Sequence, residues 1–329
     1  MTGHSNIIEV RRLTKTFDGI TAVDNISFAV QPGELFGFLG PNGAGKTTTI
    51  NLLTGLARPE GGTFVIDGID CTKNPKAAQH LIGVVPDESN LYPELTGFEN
   101  LCFCGALYGM KKRQRQDRAM QLLEMFGLKE AAVRKFVGYS KGMKRKLVIA
   151  AGIIHEPQIL FLDEPTTGLD VASARQLRQL ISDLHKNGTT IFLTTHYIEE
   201  AERLCDRVAF IVSGHIVKID LVESLLQPFQ EKHVVQIVCT HTQNDIQHKL
   251  SEFFPDMKFI FLQQSVVRVE ANRPILAGAI VRFLEEQGVE VSEARRIRPS
   301  LEDVFVEITG IEANAMKKEK EKSGMGAKA

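Results

Sequence analysis

Eight consecutive residues, GPNGAGKT at Gly40–Thr47, combine three glycines with a lysine and a threonine hydroxyl. Glycine permits backbone conformations that turn several N–H groups inward, and such a cradle of donors holds phosphate oxygens. In the matching pattern G-x-x-x-x-G-K-[ST], the lysine reaches the β- and γ-phosphates and the hydroxyl binds Mg²⁺. Gly43 and Gly45 are the positions where we expect positive φ. The residues of this candidate phosphate loop and of the helix that follows it are Gly40, Pro41, Asn42, Gly43, Ala44, Gly45, Lys46, Thr47 and Thr48.

Two adjacent carboxylates end an apolar run, ILFLDEP at Ile159–Pro165. Neighbouring acids at the end of a buried strand repel each other unless a cation lies close to them. Asp163 is therefore the candidate Mg²⁺-linked acid, and Glu164 is the candidate group that orients and activates an attacking water. Pro165 disfavours helical geometry at Glu164 and predicts an extended backbone there. In the alternative interpretation, Glu164 caps a nearby helix.

A histidine ends the next apolar run, in TTH at Thr194–His196. Such a histidine is commonly a structural residue, and that interpretation stays open. Ligands in parallel sheets bind at the carboxyl ends of the strands, where this residue falls. His196 is therefore a candidate for a contact with the γ-phosphate.

Four cations open a helix in the stretch YSKGMKRK, where Ser140 is placed to cap it. The cations are Lys141, Lys144, Arg145 and Lys146. Because a helix N-terminus is the positive end of the macrodipole, each nearby unscreened cation costs roughly 0.3–1 kcal/mol. The pattern leaves open what makes these charges tolerable, and a solvated helix face is one interpretation.

Apolar strands separated by helices carry these motifs, which predicts an α/β sheet covered on both faces. Strand patterns occupy Glu34–Leu39, Gln158–Leu162 and Thr189–Thr194, and a helical pattern follows the first of them over Gly45–Leu56. Residues Ile7–Val30 alternate around turn signals, which predicts an antiparallel β segment.

The chain divides into two candidate domains. Residues 5–222 hold the motifs above, with a helical insertion at about 97–157. Residues 231–311 have the order βαββαβ, which predicts a small ferredoxin-like α+β module. Residues 312–329 are rich in lysine, glycine and alanine and are predicted to be disordered.

Composition narrows the class of protein. The 39 basic and 40 acidic residues give a formal net charge of −1, so no global field draws the chain onto nucleic acid. Five cysteines without a C-x-x-C pair argue against a disulfide framework or zinc site, and a reducing compartment fits them best. The N-terminus lacks a secretory signal pattern, and no apolar run approaches the length of a membrane span. Another chain would have to supply any membrane component.

Together, GPNGAGKT, YSKGM, LDEP, TGLD and the terminal histidine resemble the ATPase subunit of an ABC transporter. The resemblance covers about Ile7–Asp220, and it implies a P-loop NTPase fold with a mixed sheet core, an antiparallel β subdomain and a helical insertion. The family motif usually written LSGGQ is represented by YSKGM at Tyr139–Met143. Its lysine and methionine, and the ending PSLEDVFVEITG, are similar to the drug, polysaccharide and daunorubicin-resistance-type exporter ATPases.

The resemblance implies a homodimer that closes around two molecules of ATP with Mg²⁺. The helix that begins near Ser140 would face the γ-phosphate held by the second copy, which suits its N–H groups and dipole. At least some of Lys144, Arg145 and Lys146 are expected to be solvated or to line the dimer face. The implied residues of this signature motif are Ser140, Lys141, Gly142 and Met143.

Further residues of this chain match individual positions that have known roles in the family. Phe17 matches the aromatic residue that stacks on adenine, although it could equally be a packed strand residue. Leu169 and Asp170 match a loop that touches the partner's site, although Asp170 could simply cap the next helix. His196 matches the family's switch histidine.

Asp87 departs from the family pattern, which commonly has glutamine there. Aspartate can ligate Mg²⁺ and accept hydrogen bonds, but it cannot donate the N–H that glutamine provides. We expect Asp87 to keep the metal contact and to lose the donor role.

The leading hypothesis is an ATP-hydrolysing subunit that powers export by a separate membrane permease. That permease would dock near Pro86–Asn100, where Tyr92 and Pro93 offer an exposed aromatic site, and the chain would lie peripherally on the cytoplasmic face of the membrane. The alternative is a soluble ABC ATPase acting on ribosomes or DNA, but the chain has one nucleotide domain and no heptads.

The C-terminal module could be a regulatory sensor or a subunit contact. The other chain would recognise the exported substrate.

Overall fold

The computed structural model describes residues 6–230, 233–240, 246–263, 265–297 and 300–311. They form two compact units, the first of residues up to Val222 together with those from Phe305 onward, and the second of Glu223–Val304. The second unit therefore differs at both ends from the expected domain at 231–311. Phe305 belongs to the first unit, where its ring packs edge-on against Phe210 with the centroids 5.2 Å apart. The expected disordered tail at 312–329 lies outside the described residues.

Ten strands and six α-helices precede the boundary between the units. The strands are β1 (Ile8–Phe17), β2 (Ile20–Val30), β3 (Leu35–Leu39), β4 (Gly61–Ile66), β5 (Ile69–Asp70), β6 (Ile82–Val85), β7 (Ile159–Asp163), β8 (Thr190–Thr195), β9 (Arg207–Val212) and β10 (His215–Leu221). The helices are α1 (Lys46–Leu53), α2 (Gly97–Leu107), α3 (Lys112–Met125), α4 (Lys141–Gly152), α5 (Val171–Lys186) and α6 (Ile198–Leu204). Three short 3₁₀ helices lie at Pro75–Leu81, Lys129–Ala131 and Phe136–Gly138.

The central sheet has the strand order β10-β9-β3-β8-β7-β6. Its strands pair in parallel except for β10, which runs antiparallel to β9. Every residue of β3, β7 and β8 is buried, as expected for a sheet covered on both faces. In the register, Leu39 lies opposite Thr195 and Asp163 opposite Thr194, so the three motif-bearing strands end at one edge.

A second, antiparallel sheet has the order β2-β1-β4-β5, which confirms the antiparallel prediction for residues 7–30. Its apolar face shares a core with the central sheet. Phe28 of β2 stacks on Phe36 of β3 at 5.6 Å between centroids, and Phe192 of β8 packs against Phe161 of β7 at 5.5 Å. This aromatic layer fixes the central strands beneath the antiparallel sheet.

Helices α2, α3 and α4 and two of the 3₁₀ helices make up the stretch between β6 and β7, so the prediction that this stretch is helical is confirmed. Thr96 and Glu99 form a capping box at the start of α2, which satisfies two backbone donors there. None of the helices in the described part of the chain is long and apolar enough to cross a membrane.

The second unit contains most of α7 (Val222–Gln230), followed by β11 (His233–Cys239), α8 (Ile246–Phe253), β12 (Lys258–Gln263), β13 (Val266–Ala271), α9 (Ala277–Glu286), β14 (Val291–Ile297) and the start of α10 (Leu301–Thr309). The sheet order is β12-β13-β11-β14 and all neighbours are antiparallel. With the order βαββαβ along the chain, this is the ferredoxin-like arrangement predicted from the sequence. Leu250 of α8 and Ile280 of α9 pack on the sheet residues Ile237 and Val267.

Candidate nucleotide site

The loop between β3 and α1 has the backbone that phosphate binding requires. Gly43 and Gly45 have φ of 77° and 104°, which confirms the two positions predicted to need positive φ. A Cβ at Gly45 would overlap the carbonyl oxygen of Ala22, so no larger residue fits this close approach. The Ala44 N–H donates to the carbonyl oxygen of Pro41 at 3.2 Å. The loop is therefore a tight turn that leads directly into a helix N-terminus, as an anion cradle does.

Lys46 places its ammonium inside this loop and is only 5% exposed. Its Nζ donates to the carbonyl oxygens of Gly40 at 2.8 Å and Pro41 at 2.9 Å. The same Nζ lies 3.4 Å from Oε1 of Glu164. A buried cation is thus already held at the phosphate loop, where it suits an anionic ligand.

Two threonine hydroxyl groups donate hydrogen bonds to the Asp163 carboxylate, one from α1 and one from β8. Thr47 Oγ1 donates to Oδ2 at 2.8 Å, and Thr194 Oγ1 donates to Oδ1 at 2.5 Å. Burial raises the pKa of Asp163 above its usual value, and the two hydroxyl hydrogen bonds offset only part of that effect. A carboxylate oxygen beside a hydroxyl oxygen fits Mg²⁺, a hard cation that keeps several waters and uses few protein ligands. Thr47 and Asp163 are the residues that would hold it.

Glu164 has φ of 46°, so the expectation of an extended backbone at this residue is wrong. Its N–H donates to the carbonyl oxygen of Thr194 at 3.0 Å, and the Thr167 N–H donates back to the Glu164 carbonyl at 3.2 Å. The chain must turn immediately after β7, and this turn overrides the preference of a residue before proline. The helix that follows is capped by Asp170 instead of Glu164.

The Glu164 carboxylate lies between a histidine ring and the loop lysine. His196 Nδ1 is 2.6 Å from Oε2, although its N–H is not aligned as in a regular hydrogen bond, and Thr167 Oγ1 donates to Oε2 at 2.8 Å. Burial pushes the pKa of Glu164 upward, but His196, the Lys46 charge and Thr167 together lower it to about 2. Glu164 is therefore an anion at neutral pH, as a water-orienting base must be.

The helix α4 begins at Lys141 and has no acidic residue in its first turn. Ser140 caps it, because its Oγ accepts a hydrogen bond from the Met143 N–H at 3.3 Å. Gly142 packs so closely on Ser173 that an added Cβ would lie 2.7 Å from the serine Oγ. The Lys141 side chain is exposed and its Nζ lies against Gly168 of the same chain. A contact of Lys141 with a partner's phosphate stays a prediction.

The three further cations of α4 have different environments. Lys144 Nζ lies 5.6 Å from the centre of the Phe136 ring, and Lys146 Nζ donates to Gln176 at 2.9 Å. Arg145 is only 8% exposed, so it is not one of the cations expected to be solvated. Arg145 and all of residues 147–152 are buried, so the buried positions do not form a single helical face, and no local pattern in the sequence singled out Arg145.

The remaining predicted residues lie at the surface or near it. Asp170 caps α5, since Oδ1 accepts from the Ser173 N–H at 2.9 Å and Oδ2 from the Ser173 hydroxyl at 2.7 Å. Leu169 before it is half-buried. Phe17 ends β1 with its side chain 47% exposed, and Lys15 Nζ lies 4.9 Å from the ring centre. Asp87 is exposed, and its carbonyl oxygen accepts a hydrogen bond from Arg145.

Known proteins resemble this chain along most of its length. Residues 23–167 match the ABC transporter family model. The linearmycin resistance ATP-binding protein LnrL of Bacillus subtilis is 33% identical over 317 residues, which cover 92% of this chain and 98% of the relative. The doxorubicin resistance ATP-binding protein DrrA of Mycobacterium tuberculosis is 35% identical over 88% of this chain and 89% of its own length. A Nod factor export ATP-binding protein of Paraburkholderia xenovorans is 42% identical over 63% of this chain and 68% of that protein.

Solved structures resemble about two thirds of this chain. An ATP-binding subunit of an ABC transporter is 30% identical with a TM-score of 0.61, covering 68% of this chain and 93% of that one. A dimeric, post-hydrolysis ATP-binding cassette bound to ADP and Pi is 27% identical with a TM-score of 0.61, covering 65% and 98%. The chain therefore belongs to the ABC transporter family, among the ATP-hydrolysing subunits of the daunorubicin-resistance type.

Proposed function

We propose that two copies of this exporter ATPase close around two molecules of ATP and drive a separate membrane permease. One observation carries the proposal: five polar side chains, from the start of α1 and from the ends of β7 and β8, meet within hydrogen-bond or ion-pair distance. They are Lys46, Thr47, Asp163, Glu164 and His196. This is the set that in-line attack of water on a γ-phosphate needs.

Each of these groups has a role that its contacts support. Thr47 and Asp163, with Asp87 nearby, would hold Mg²⁺. The bound metal would neutralise charge on the β- and γ-phosphates. Lys46 already points its ammonium at the loop carbonyls and needs only to turn toward the phosphates. Glu164, ionised and fixed by two neighbours, accepts a hydrogen bond from the attacking water. His196 holds that carboxylate and contacts the γ-phosphate.

The second copy supplies the other half of each site in this proposal. The N-terminus of α4 carries a capping serine and no acid in its first turn, so its positive end is available to an anion. Ser140, Lys141, Gly142 and Met143 would face the partner's γ-phosphate. Leu169 and Asp170 would touch the partner's site, and the half-exposed ring of Phe17 would stack on adenine.

A pair of exposed aromatic side chains supports a docking site for the permease. Tyr92 is 51% exposed and Phe103 is 38% exposed, and their rings meet edge to face at 5.0 Å. Buried Asn100 fixes this surface, because its side chain exchanges hydrogen bonds with the Tyr92 backbone at 2.9 and 3.0 Å. In this proposal a short helix of a membrane subunit packs there, and the chain lies peripherally on the cytoplasmic face of the membrane.

The relatives' names support an export role and do not single out a cargo. Linearmycin, doxorubicin and Nod factor are named for three of them. Cargo so varied agrees with recognition by the permease rather than by this chain. All three are resistance or export ATP-binding proteins, so they give no support to the alternative of a soluble ATPase on ribosomes or DNA.

The proposed site is tested by Glu164→Gln and Ser140→Arg in the full chain. Glu164→Gln removes the carboxylate, so we expect ATP binding with an ATP-trapped dimer and slow phosphate release. Ser140→Arg adds a bulky cation at the end of α4, so we expect ATP binding without dimer closure. Light scattering with ATP and phosphate release measure both. Normal hydrolysis by Ser140→Arg would contradict the shared site.

The transport role is tested by isolating the tagged chain from detergent-solubilised membranes. We expect a membrane protein with several spans to be recovered with it. Recovery of ribosomes or DNA in its place would overturn the export role.

A further inference from the structure

Arg145 is a buried arginine whose hydrogen-bond partners are all backbone carbonyl oxygens among the described contacts. Nε donates to Pro165 at 2.8 Å, and Nη2 donates to Asp163 at 2.7 Å. Nη1 donates to Asp87 at 3.1 Å and also to Pro86. The side chain therefore bridges two segments that are more than 70 residues apart in the sequence.

A guanidinium is suited to this arrangement because its planar fork fixes the angles between its donors. Burial lowers the pKa of Arg145, while the nearby carboxylates of Asp87 and Asp163 favour its charged form. An ammonium has three donors on a flexible stem, so it cannot reproduce the four hydrogen bonds that this planar fork makes. The site thus depends on the shape of arginine and on the backbone path of the two segments.

The carbonyls that Arg145 holds have a specific relation to the proposed water-activating residue. Asp163 and Pro165 are the neighbours of Glu164 on either side, so the fork fixes the backbone that carries this carboxylate. Pro86 and Asp87 begin the segment that joins β6 to α2, which we call the Asp87 loop (residues 86–96). That loop contains Tyr92, at the proposed permease docking site.

We propose that Arg145 is a positioning residue that ties Glu164 to the Asp87 loop. Glu164 is aligned for hydrolysis while the loop occupies its present position, and displacement of the loop moves the carbonyls on which this alignment depends. We assign Arg145 a positioning role because it is buried and four of its five N–H donors bond to carbonyl oxygens inside the protein. The inference rests on the proposed role of Glu164.

A double-mutant cycle in the full chain tests the inference. Its members are the unchanged chain, Arg145→Lys, Glu164→Gln and the double variant, compared by single-turnover hydrolysis, KM for ATP and thermal midpoint. Arg145→Lys keeps the charge and loses the fork, so we expect kcat to fall on the order of 10- to 100-fold. We expect KM to change less than about threefold, since the phosphate loop is untouched.

The double variant separates positioning from general damage. With no carboxylate left to align, Arg145→Lys should change the residual turnover of Glu164→Gln less than about twofold. Arg113→Lys is the matched control, because the Arg113 side chain is 96% exposed on α3, and it should behave as the unchanged chain.

Three results would overturn the inference. If Arg145→Lys lowers turnover by the same factor in both backgrounds, Arg145 does not act through Glu164, although the role of Glu164 stands. If Glu164→Gln alone hydrolyses ATP normally, the proposed function of that residue fails first. If Arg145→Lys does not fold, Arg145→Gln is measured in the same cycle, and loss of folding in both would assign Arg145 to stability alone.

Discussion

The Nδ1 atom of His196 lies 2.6 Å from Oε2 of Glu164, and both side chains are more than nine-tenths buried. Thr167 donates to the same oxygen, and Lys46 lies 3.4 Å from the other one. The chain therefore holds an ionised carboxylate in a fixed orientation before any nucleotide binds. A group oriented in advance loses little entropy when the reaction occurs, which favours catalysis.

The first prediction concerns the pH dependence of stability at Glu164. Burial raises the pKa of this carboxyl, but His196, Lys46 and Thr167 lower it from 4.5 to about 2. Since the folded-state pKa is depressed, the ionised group stabilises the folded chain above pH 4.5, and this stabilisation disappears as the pH falls toward 2. We expect Glu164→Gln to lower the free energy of unfolding at pH 7 and to lower it progressively less below pH 4.5.

Urea unfolding of both chains in steps from pH 7 to pH 3 measures this difference. Glu199→Gln controls for the loss of a carboxylate, because the Glu199 side chain is 77% exposed on α6. A difference that stays constant down to pH 3 would contradict the depressed pKa.

The second prediction has the opposite sign and concerns Asp163. Burial raises its pKa above 3.8, more than the Thr194 and Thr47 hydrogen bonds lower it. A carboxyl with a raised folded-state pKa favours folding only below its unfolded value, and that contribution is lost as the pH rises through the folded pKa. Asp163→Asn should therefore raise the thermal midpoint of the nucleotide-free chain at pH 7, while Mg²⁺-dependent hydrolysis falls by at least about 100-fold.

Calorimetry and phosphate release with a Mg²⁺ titration measure the two effects. Asp183→Asn is the matched control, an exposed aspartate on α5 that accepts a hydrogen bond from Gln179. If the thermal midpoint of Asp163→Asn is not higher than that of the Asp183→Asn control, burial of the Asp163 charge does not destabilise the folded chain.

Local patterns predicted much of the fold. The phosphate loop between β3 and α1, the antiparallel start and the βαββαβ order of the second unit each depend on nearby residues, and all are found. The pairing of β6 with β7 joins residues such as Ile82 and Ile159, which are far apart in the chain. Such pairing depends on tertiary packing, so periodicity alone did not reveal it.

The site shows the same limit in two residues. Glu164 follows a backbone path set by its hydrogen bond to Thr194, which a rule based on the adjacent Pro165 cannot include. Arg145 was grouped with neighbouring lysines because of its charge, whereas its carbonyl partners come from segments distant in sequence. Both cases arise where a long-range contact outweighs a local preference.

The third prediction concerns Asp87, which stands where the family commonly has glutamine. Its carbonyl oxygen accepts a hydrogen bond from Arg145, so Asp87→Gln keeps that acceptor in place. We expect the variant to keep its ATPase activity within about threefold and to need more Mg²⁺ for half-maximal rate, because an amide attracts the cation less than a carboxylate.

Phosphate release at fixed ATP and varied Mg²⁺ measures this change. Glu88→Gln is the control, since Glu88 is the next residue and is also an exposed acid. Complete loss of activity in Asp87→Gln would show that the carboxylate has a role other than binding the metal.

The last prediction separates hydrolysis from coupling at the aromatic pair of Tyr92 and Phe103. Tyr92→Ala removes an exposed ring that lies outside the nucleotide site, while Asn100 still holds the backbone of residue 92. Loss of a central aromatic residue from an interface typically costs about 2 kcal/mol or more. We therefore expect unchanged ATPase activity of the isolated chain and at least tenfold weaker binding to the permease in detergent. Met125→Ala, at a side chain that is 57% exposed on α3, should bind normally. Equal binding by Tyr92→Ala and Met125→Ala would place the permease on another surface of the chain.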